Sequence, residues 1–193
     1  VNIVKSGDVM QDASIFYSKY SYEHSDVITK HCLKNFILGT IHRAENTDHP
    51  IRLKNIFDAL IDLSKDFDVF LPLHPRTRKM LEALAINTGN IKIVEPVGYF
   101  DMIELLKNCS MVFTDSGGLQ KEAFFFSKPC LTLREETEWV ELVALGYNVL
   151  TGSDKKSIIN GFKNMIDKKI PKNDSLYGGG KASSVIVKHL LSF

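Results

Sequence analysis

The stretch MVFTDSGGLQKEAFFF, Met111 to Phe126, carries the pattern on which the fold turns. Met111–Thr114 is a short apolar run of the kind buried on both faces of a parallel sheet. Gln120–Phe126 continues at helical spacing, and Asp115-Ser116-Gly117-Gly118 between them makes a sharp strand-to-helix turn.

The same succession recurs on either side. Further strands are expected at Asn35–Ile41, Asp68–Leu73, Ile91–Val94, Pro129–Leu133 and Asn148–Thr151. Amphipathic segments separate them. Ile51–Leu63 places its apolar residues on one helical stripe; Met80, Leu81 and Leu84 mark a second helix, and Met102, Ile103, Leu105 and Leu106 a third. Thr137–Leu145 is expected to be helical up to a C-capping Gly146. Ser153 or Asp154 would cap a helix reaching about Ile166, and Ala182–Leu191 closes the chain after a glycine-rich turn. Val1-Asn2-Ile3-Val4 reads as a strand entered mid-chain, and residues 3–34 as a less regular connecting segment. Without an initiator methionine, the chain reads as a piece of a longer polypeptide. The alternation implies right-handed crossovers and an α/β, doubly wound parallel sheet.

Composition narrows the function classes. A formal net charge of +1 gives no general field for nucleic acid or for an anionic membrane surface. No apolar run approaches the roughly 20 residues of a membrane-spanning helix. Cys32, Cys109 and Cys130 show no CxxC spacing, and Cys109 and Cys130 read as small core residues in a reducing, cytoplasmic compartment.

In an open parallel sheet ligands bind beyond the carboxyl ends of the strands. That rule selects His42–Asn46, His74-Pro75-Arg76, Asp115–Gly118 and Arg134–Glu138. The Ser116-Gly117-Gly118 turn is the strongest of these. A helix N-terminus offers unpaired N–H groups and a partial positive charge, and two glycines let an anion such as a diphosphate approach the backbone. A tight turn with Ser116 as a plain N-cap fits the same residues. Glu122, farther along that helix, could accept hydrogen bonds from a ribose diol or stand as a solvated carboxylate. His42 with Arg43 and Glu45 could meet a phosphate or protonate a leaving group; a capping loop, with Glu45 and Asn46 satisfying backbone groups, is the other reading. His74 and Arg76 lie on the same sheet edge. Arg134, Glu135, Glu136 and Glu138 form a charge run that is either substrate-facing or solvated. Phe124-Phe125-Phe126 reads as core packing. His42, Glu45 and His49 do not match a zinc motif, so no metal is expected. The turn sits in neither a G-x-S-x-G elbow nor a Walker A loop, and the strand–helix alternation excludes the β-barrel proteases that share Asp-Ser-Gly-Gly.

Taken in order, HRAEN (His42–Asn46), HPRT (His74–Thr77), EPVGYFDMIELL (Glu95–Leu106), TDSGGLQKEA (Thr114–Ala123), KPCLTLREETEW (Lys128–Trp139) and YGGGKAS (Tyr177–Ser183) resemble the UDP-N-acetylglucosamine 2-epimerases of bacteria and archaea. SGDVMQDA (Ser6–Ala13) looks like the crossover between that family's two domains. The resemblance implies a Rossmann-like C-terminal half of a glycosyltransferase-B-type fold. Residues 1–34 would form the crossover and the start of the domain, residues 35–193 the UDP-binding domain, with the N-terminal domain absent. It also implies a reaction without cofactor, in which the C2 proton is removed, UDP is expelled, and UDP returns with C2 inverted. The proton-transferring carboxylates would lie mainly on the N-terminal domain. His42 would meet the leaving diphosphate, Ser116, Gly117 and Gly118 the phosphate oxygens, and Glu122 the ribose. Arg43 and His74 match positions that touch a second UDP-sugar in some members, and a homodimer is common. The leading reading is interconversion of UDP-GlcNAc and UDP-ManNAc. Two departures bear on the sugar: Ala44 stands where many members have a second Arg, and Thr137-Glu138-Trp139-Val140 replaces T-E-R-P. The latter resembles relatives acting on UDP-2,3-diacetamido-glucuronate, the first alternative. A hydrolysing epimerase, a sugar transferase of the same fold and an isolated nucleotide-binding module are the others.

Overall fold

The computed structural model describes residues 3–192. Its centre is a six-stranded sheet in the order β3-β2-β1-β4-β5-β6, with every neighbouring pair parallel. The strands are β1 Phe36–Thr40, β2 Asp68–Pro72, β3 Lys92–Val94, β4 Met111–Thr114, β5 Cys130–Thr132 and β6 Asn148–Leu150. This is the doubly wound, Rossmann-type order, and it reverses direction between β1 and β4.

Strand side chains alternate between two packed layers. Ile37, Met111, Phe113 and Leu131 face a core shared with Phe57, Leu60, Ile158 and Phe162. Phe36, Leu38, Val112 and Cys130 face a second core with Leu105, Leu106, Leu119 and Ala123. Helices α4 (Pro50–Leu63) and α9 (Lys155–Met165) cover the first face; α6 (Tyr99–Asn108) and α7 (Gly117–Phe125) cover the second. Cys109 and Cys130 are buried, and burial pushes both thiols up to about 12, so they act as inert packing. Phe124 is core, with Phe125 and Phe126 packed against its edges.

The remaining helices are α1 (Val9–Tyr17), α2 (Val27–Lys30), α3 (Ala44–Thr47), α5 (Pro75–Ala83), α8 (Val140–Ala144) and α10 (Ala182–Leu190). Asp154 is the cap of α9, accepting the Ser157 N–H at 2.8 Å. Gly146, at φ +72°, follows α8 in the left-handed region that glycine tolerates. Helix α8 is shorter than its sequence suggests, because Thr137 and Trp139 are engaged in contacts with α7.

Two expectations near the start need correction. Val1 and Asn2 lie outside the described residues, while Ile3 and Val4 belong to no strand and are solvent-exposed. The sheet edges are β3 and β6, so residues 3 and 4 have no strand beside them. The stretch that follows is more ordered than its composition suggests. Asp8 caps α1 by accepting the Met10 N–H at 2.8 Å, and its own N–H donates to Tyr177 O at 2.8 Å. Gly7, at φ +99°, lies so close to this carbonyl that a Cβ would fall 2.8 Å from it. The beginning and end of the chain are thus packed together.

Candidate functional site

The site forms where the strand order reverses. The turn after β4 begins with Asp115, which is fully buried. Its carboxylate accepts the His42 N–H (3.1 and 3.2 Å), the Arg43 N–H (3.0 Å) and the Asn46 side-chain amide (3.1 Å). One aspartate after β4 therefore fixes the whole loop after β1. His42 Nδ1 lies 3.5 Å from Asp115 Oδ1, which turns the ring's Nε2 edge away from the turn. Asn46, also fully buried, donates to Leu133 O at 3.0 Å and so ties in the loop after β5.

Ser116 is the N-cap of α7. Its Oγ accepts the Leu119 N–H at 3.5 Å, and its own N–H donates to Thr114 Oγ1 at 2.9 Å. The first N–H groups of a helix have no intrahelical acceptor, so Gly117 and Gly118 offer theirs outward. Neither glycine has positive φ. A Cβ on Gly117 would meet only ordinary contacts, the nearest being Trp139 Nε1 at 3.5 Å. Neither backbone strain nor steric fit thus requires Gly117. Gly118 has a packing reason, since a Cβ there would approach the Met10 methyl to 3.2 Å.

Glu122 is 7% exposed, and its carboxylate accepts no hydrogen bond from the described residues. Burial pushes its carboxyl up to about 7, partly offset by the Lys121 charge. A desolvated carboxylate without a partner is costly unless something completes it. It lines a cleft of about 410 Å³ together with His42, His74, Ser116 and Gly118. The rest of the wall is mostly apolar, formed by Met10, Pro96, Val97, Met102 and Leu119.

The other candidates divide. The His74 Nδ1 accepts the Arg76 N–H at 3.2 Å as the cap of α5, so Nε2 is left to face solvent and the cleft. Arg76 itself turns to Asp48, holding that carboxyl below the ordinary range, and does not line the cleft. Arg134 is buried and makes a two-pronged pair with Glu138 at 2.8 and 3.2 Å, which keeps the Glu138 carboxyl low. Its Nε lies 3.2 Å from Glu45 but off the hydrogen-bond axis. Glu45 thus pairs with a side chain and does not cap backbone. Arg43 approaches Glu138 at 3.8 Å and keeps its remaining donors exposed. The charge run is a braced loop: Glu135 grips Arg52 with two bonds of 2.8 Å, and Arg52 in turn donates to Asn46. Sequence reasoning placed Asp115 in the ligand-facing turn but missed that Asp115 holds the loop after β1 and that Thr114 accepts the Ser116 N–H; an Asp ending an apolar strand just before a Ser-Gly-Gly turn was the available signal. Among the described residues no group of His, Cys, Asp and Glu side chains is arranged to hold a metal, and no helix is long and apolar enough to cross a membrane.

Comparison with known proteins agrees with the fold. The family model described as UDP-N-acetylglucosamine 2-epimerase matches residues 1–191. The UDP-2,3-diacetamido-2,3-dideoxy-D-glucuronate 2-epimerase of Pseudomonas aeruginosa is 47% identical over 97% of this chain and 52% of its own length. A UDP-N-acetylglucosamine 2-epimerase homolog of Methanococcus maripaludis is 40% identical over 97% of this chain and 54% of its own. The crystal structure of the Methanocaldococcus jannaschii UDP-GlcNAc 2-epimerase, in complex with UDP-GlcNAc and UDP, superposes with a TM-score of 0.89 at 35% identity, covering 99% of this chain and 55% of that one. The chain spans about half the length of the curated relatives it matches.

Proposed function

This chain belongs to the UDP-N-acetylglucosamine 2-epimerase family, and from that premise we propose that it is the UDP-gripping half of an enzyme that inverts C2 of a UDP-linked 2-acetamido sugar. The observation that carries the reading is the convergence of His42, Ser116, Gly118 and Glu122 on one cleft at the point where the strand order reverses. The Gly117 and Gly118 N–H groups and His42 receive the diphosphate, and Glu122 receives the ribose hydroxyls. In elimination the C2 proton goes to a base, and the C1–O bond breaks with its electron pair leaving on UDP. Donors already aimed at the diphosphate stabilise that developing charge without reorganising. Re-addition of UDP and return of a proton to the other face of C2 complete the inversion.

The base belongs to a preceding domain in this reading. The relatives' greater length supports it, as do the exposed apolar side chains Val9 and Phe16 on α1, Leu190 at the end of α10 and Leu191 just after it. Arg43 and His74 remain for sugar or for a second UDP-sugar. Arg134, Glu45 and Glu138 brace the loop around it, and Arg76 acts at a distance. We place the protein in the cytoplasm, where free Cys32, Cys109 and Cys130 stay reduced.

For the sugar itself, UDP-2,3-diacetamido-2,3-dideoxy-glucuronate is favoured over UDP-GlcNAc. The support is the 47% identity to the Pseudomonas epimerase, together with the Thr137-Glu138-Trp139-Val140 run. UDP-GlcNAc is the second reading, favoured by the archaeal structural match. The test is turnover of both UDP-sugars by the whole protein, with C2 configuration followed by NMR. Epimerisation of the diacetamido uronate alone or preferentially is expected; turnover of UDP-GlcNAc alone would reverse the substrate assignment, and inversion of neither would overturn the reaction.

A further inference from the structure

The Gly117–Gly118 peptide is held from behind by a residue outside the turn. Trp139 Nε1 donates to Gly117 O at 2.8 Å. The preceding carbonyl, Ser116 O, accepts the Gln120 side-chain amide at 3.3 Å, and Gln120 Oε1 in turn accepts the Thr137 hydroxyl at 2.7 Å. The Gly117 carbonyl is thus held directly from the loop after β5, whereas Ser116 O is held within α7 by Gln120, whose backbone N–H also donates to it at 3.3 Å.

A trans peptide is planar, with its C=O and N–H pointing in opposite directions. Holding Gly117 O thus fixes where the Gly118 N–H points, and holding Ser116 O fixes the Gly117 N–H. Glycine lacks the Cβ that restricts φ and ψ, so in this first turn of α7 an anchor on the carbonyl narrows the range open to the peptide. The indole is itself clamped. Lys121 Nζ lies 4.2 Å from the ring centroid, and the same ammonium pairs with Asp8 at 2.6 Å. Lys121 and Asp8 are both largely shielded from solvent.

We propose that Trp139 is a positioning residue of the diphosphate site: it sets the Gly117–Gly118 peptide so that its N–H faces the phosphate oxygens, and the Lys121–Asp8 pair holds the indole in place. The inference rests on the assignment of the diphosphate to this turn. It gives Trp139 work on the phosphate side of the cleft and none on the base or ribose.

The test compares UDP with uridine on this chain by calorimetry, for wild type and Trp139→Phe. The substitution keeps an aromatic ring and removes the N–H donor. Loss of one such bond corresponds to about a three- to tenfold weakening. UDP should weaken by that factor and uridine should be unchanged. If wild type binds UDP and the variant binds it equally well, or loses UDP and uridine alike, the role of Trp139 is overturned while the diphosphate assignment stands. If wild type binds no UDP, the assignment itself falls and the inference with it. A second measurement needs no variant. Trp139 is the chain's single tryptophan, so its emission should shift with UDP and stay constant with uridine. A calorimetric UDP signal with no change in emission would also count against the proposal.

Discussion

At the residue scale the site depends on two buried carboxylates held in opposite ways. Asp115 is saturated with donors, whereas Glu122 has none. Removing the first leaves the His42 and Arg43 N–H groups without their acceptor and takes from the Asn46 amide one of its two acceptors, the other being Leu133 O. Asp115→Ala should therefore cost on the order of 3 kcal/mol, read by denaturant unfolding, and should release the His42 loop. The second imposes a pH dependence. Its carboxyl is raised from 4.5 to about 7 in the folded chain. Between those values the unfolded chain loses the proton while the native chain keeps it, so stability falls as pH rises and levels off above 7. Each tenfold change in proton affinity is worth about 1.4 kcal/mol, which puts the penalty at no more than about 3.5 kcal/mol. Glu122→Gln should accordingly stabilise the chain at pH 8 and leave it unchanged near pH 4. Equal melting shifts at both pH values would contradict the burial argument. The position of Glu122 could be read from the sequence, six residues past Ser116, but its desolvation could not. Burial of a helix carboxylate depends on α1 and α6 closing over it, which no local pattern records.

At the element scale the strands were legible because several are almost wholly apolar, and only their ends were trimmed by the sheet. Helix α1 was not, for a specific reason: its buried residues are the polar Gln11 and Ser14, while Val9, Phe16 and Tyr17 face outward. An inverted stripe defeats a search for an apolar one. Its polar side has a use at the far end of the chain. Asp12 accepts the Ala182 N–H at 3.1 Å, the Ser183 N–H at 2.7 Å and the Ser183 hydroxyl at 2.6 Å, capping α10, whose own cap residue Lys181 supplies no side-chain bond. Burial pushes the Asp12 carboxyl up, but these hydrogen bonds outweigh it and hold the group below its ordinary range. Asp12→Ala should cost about 1 kcal/mol. Hydrogen exchange should rise first in Val185–Leu190; unchanged protection there would argue that α10 is held by its apolar contacts alone.

At the scale of the whole molecule, the strand order brings loops distant in sequence to one edge, and that order is what a list of motifs could not supply. The loops after β1 and β4 become neighbours only because β1 and β4 pair, with Thr40 against Thr114. The central claim is that UDP lies across this junction with its diphosphate on the α7 turn. It is tested most directly by titrating UDP into the ¹⁵N-labelled chain. Saturable amide shifts are expected at Ser116–Leu119, His42, Arg43 and Glu122, with the polar cavity around Asn55 and Ser153 unaffected. No shifts at millimolar UDP, or shifts centred on that second cavity, would contradict it.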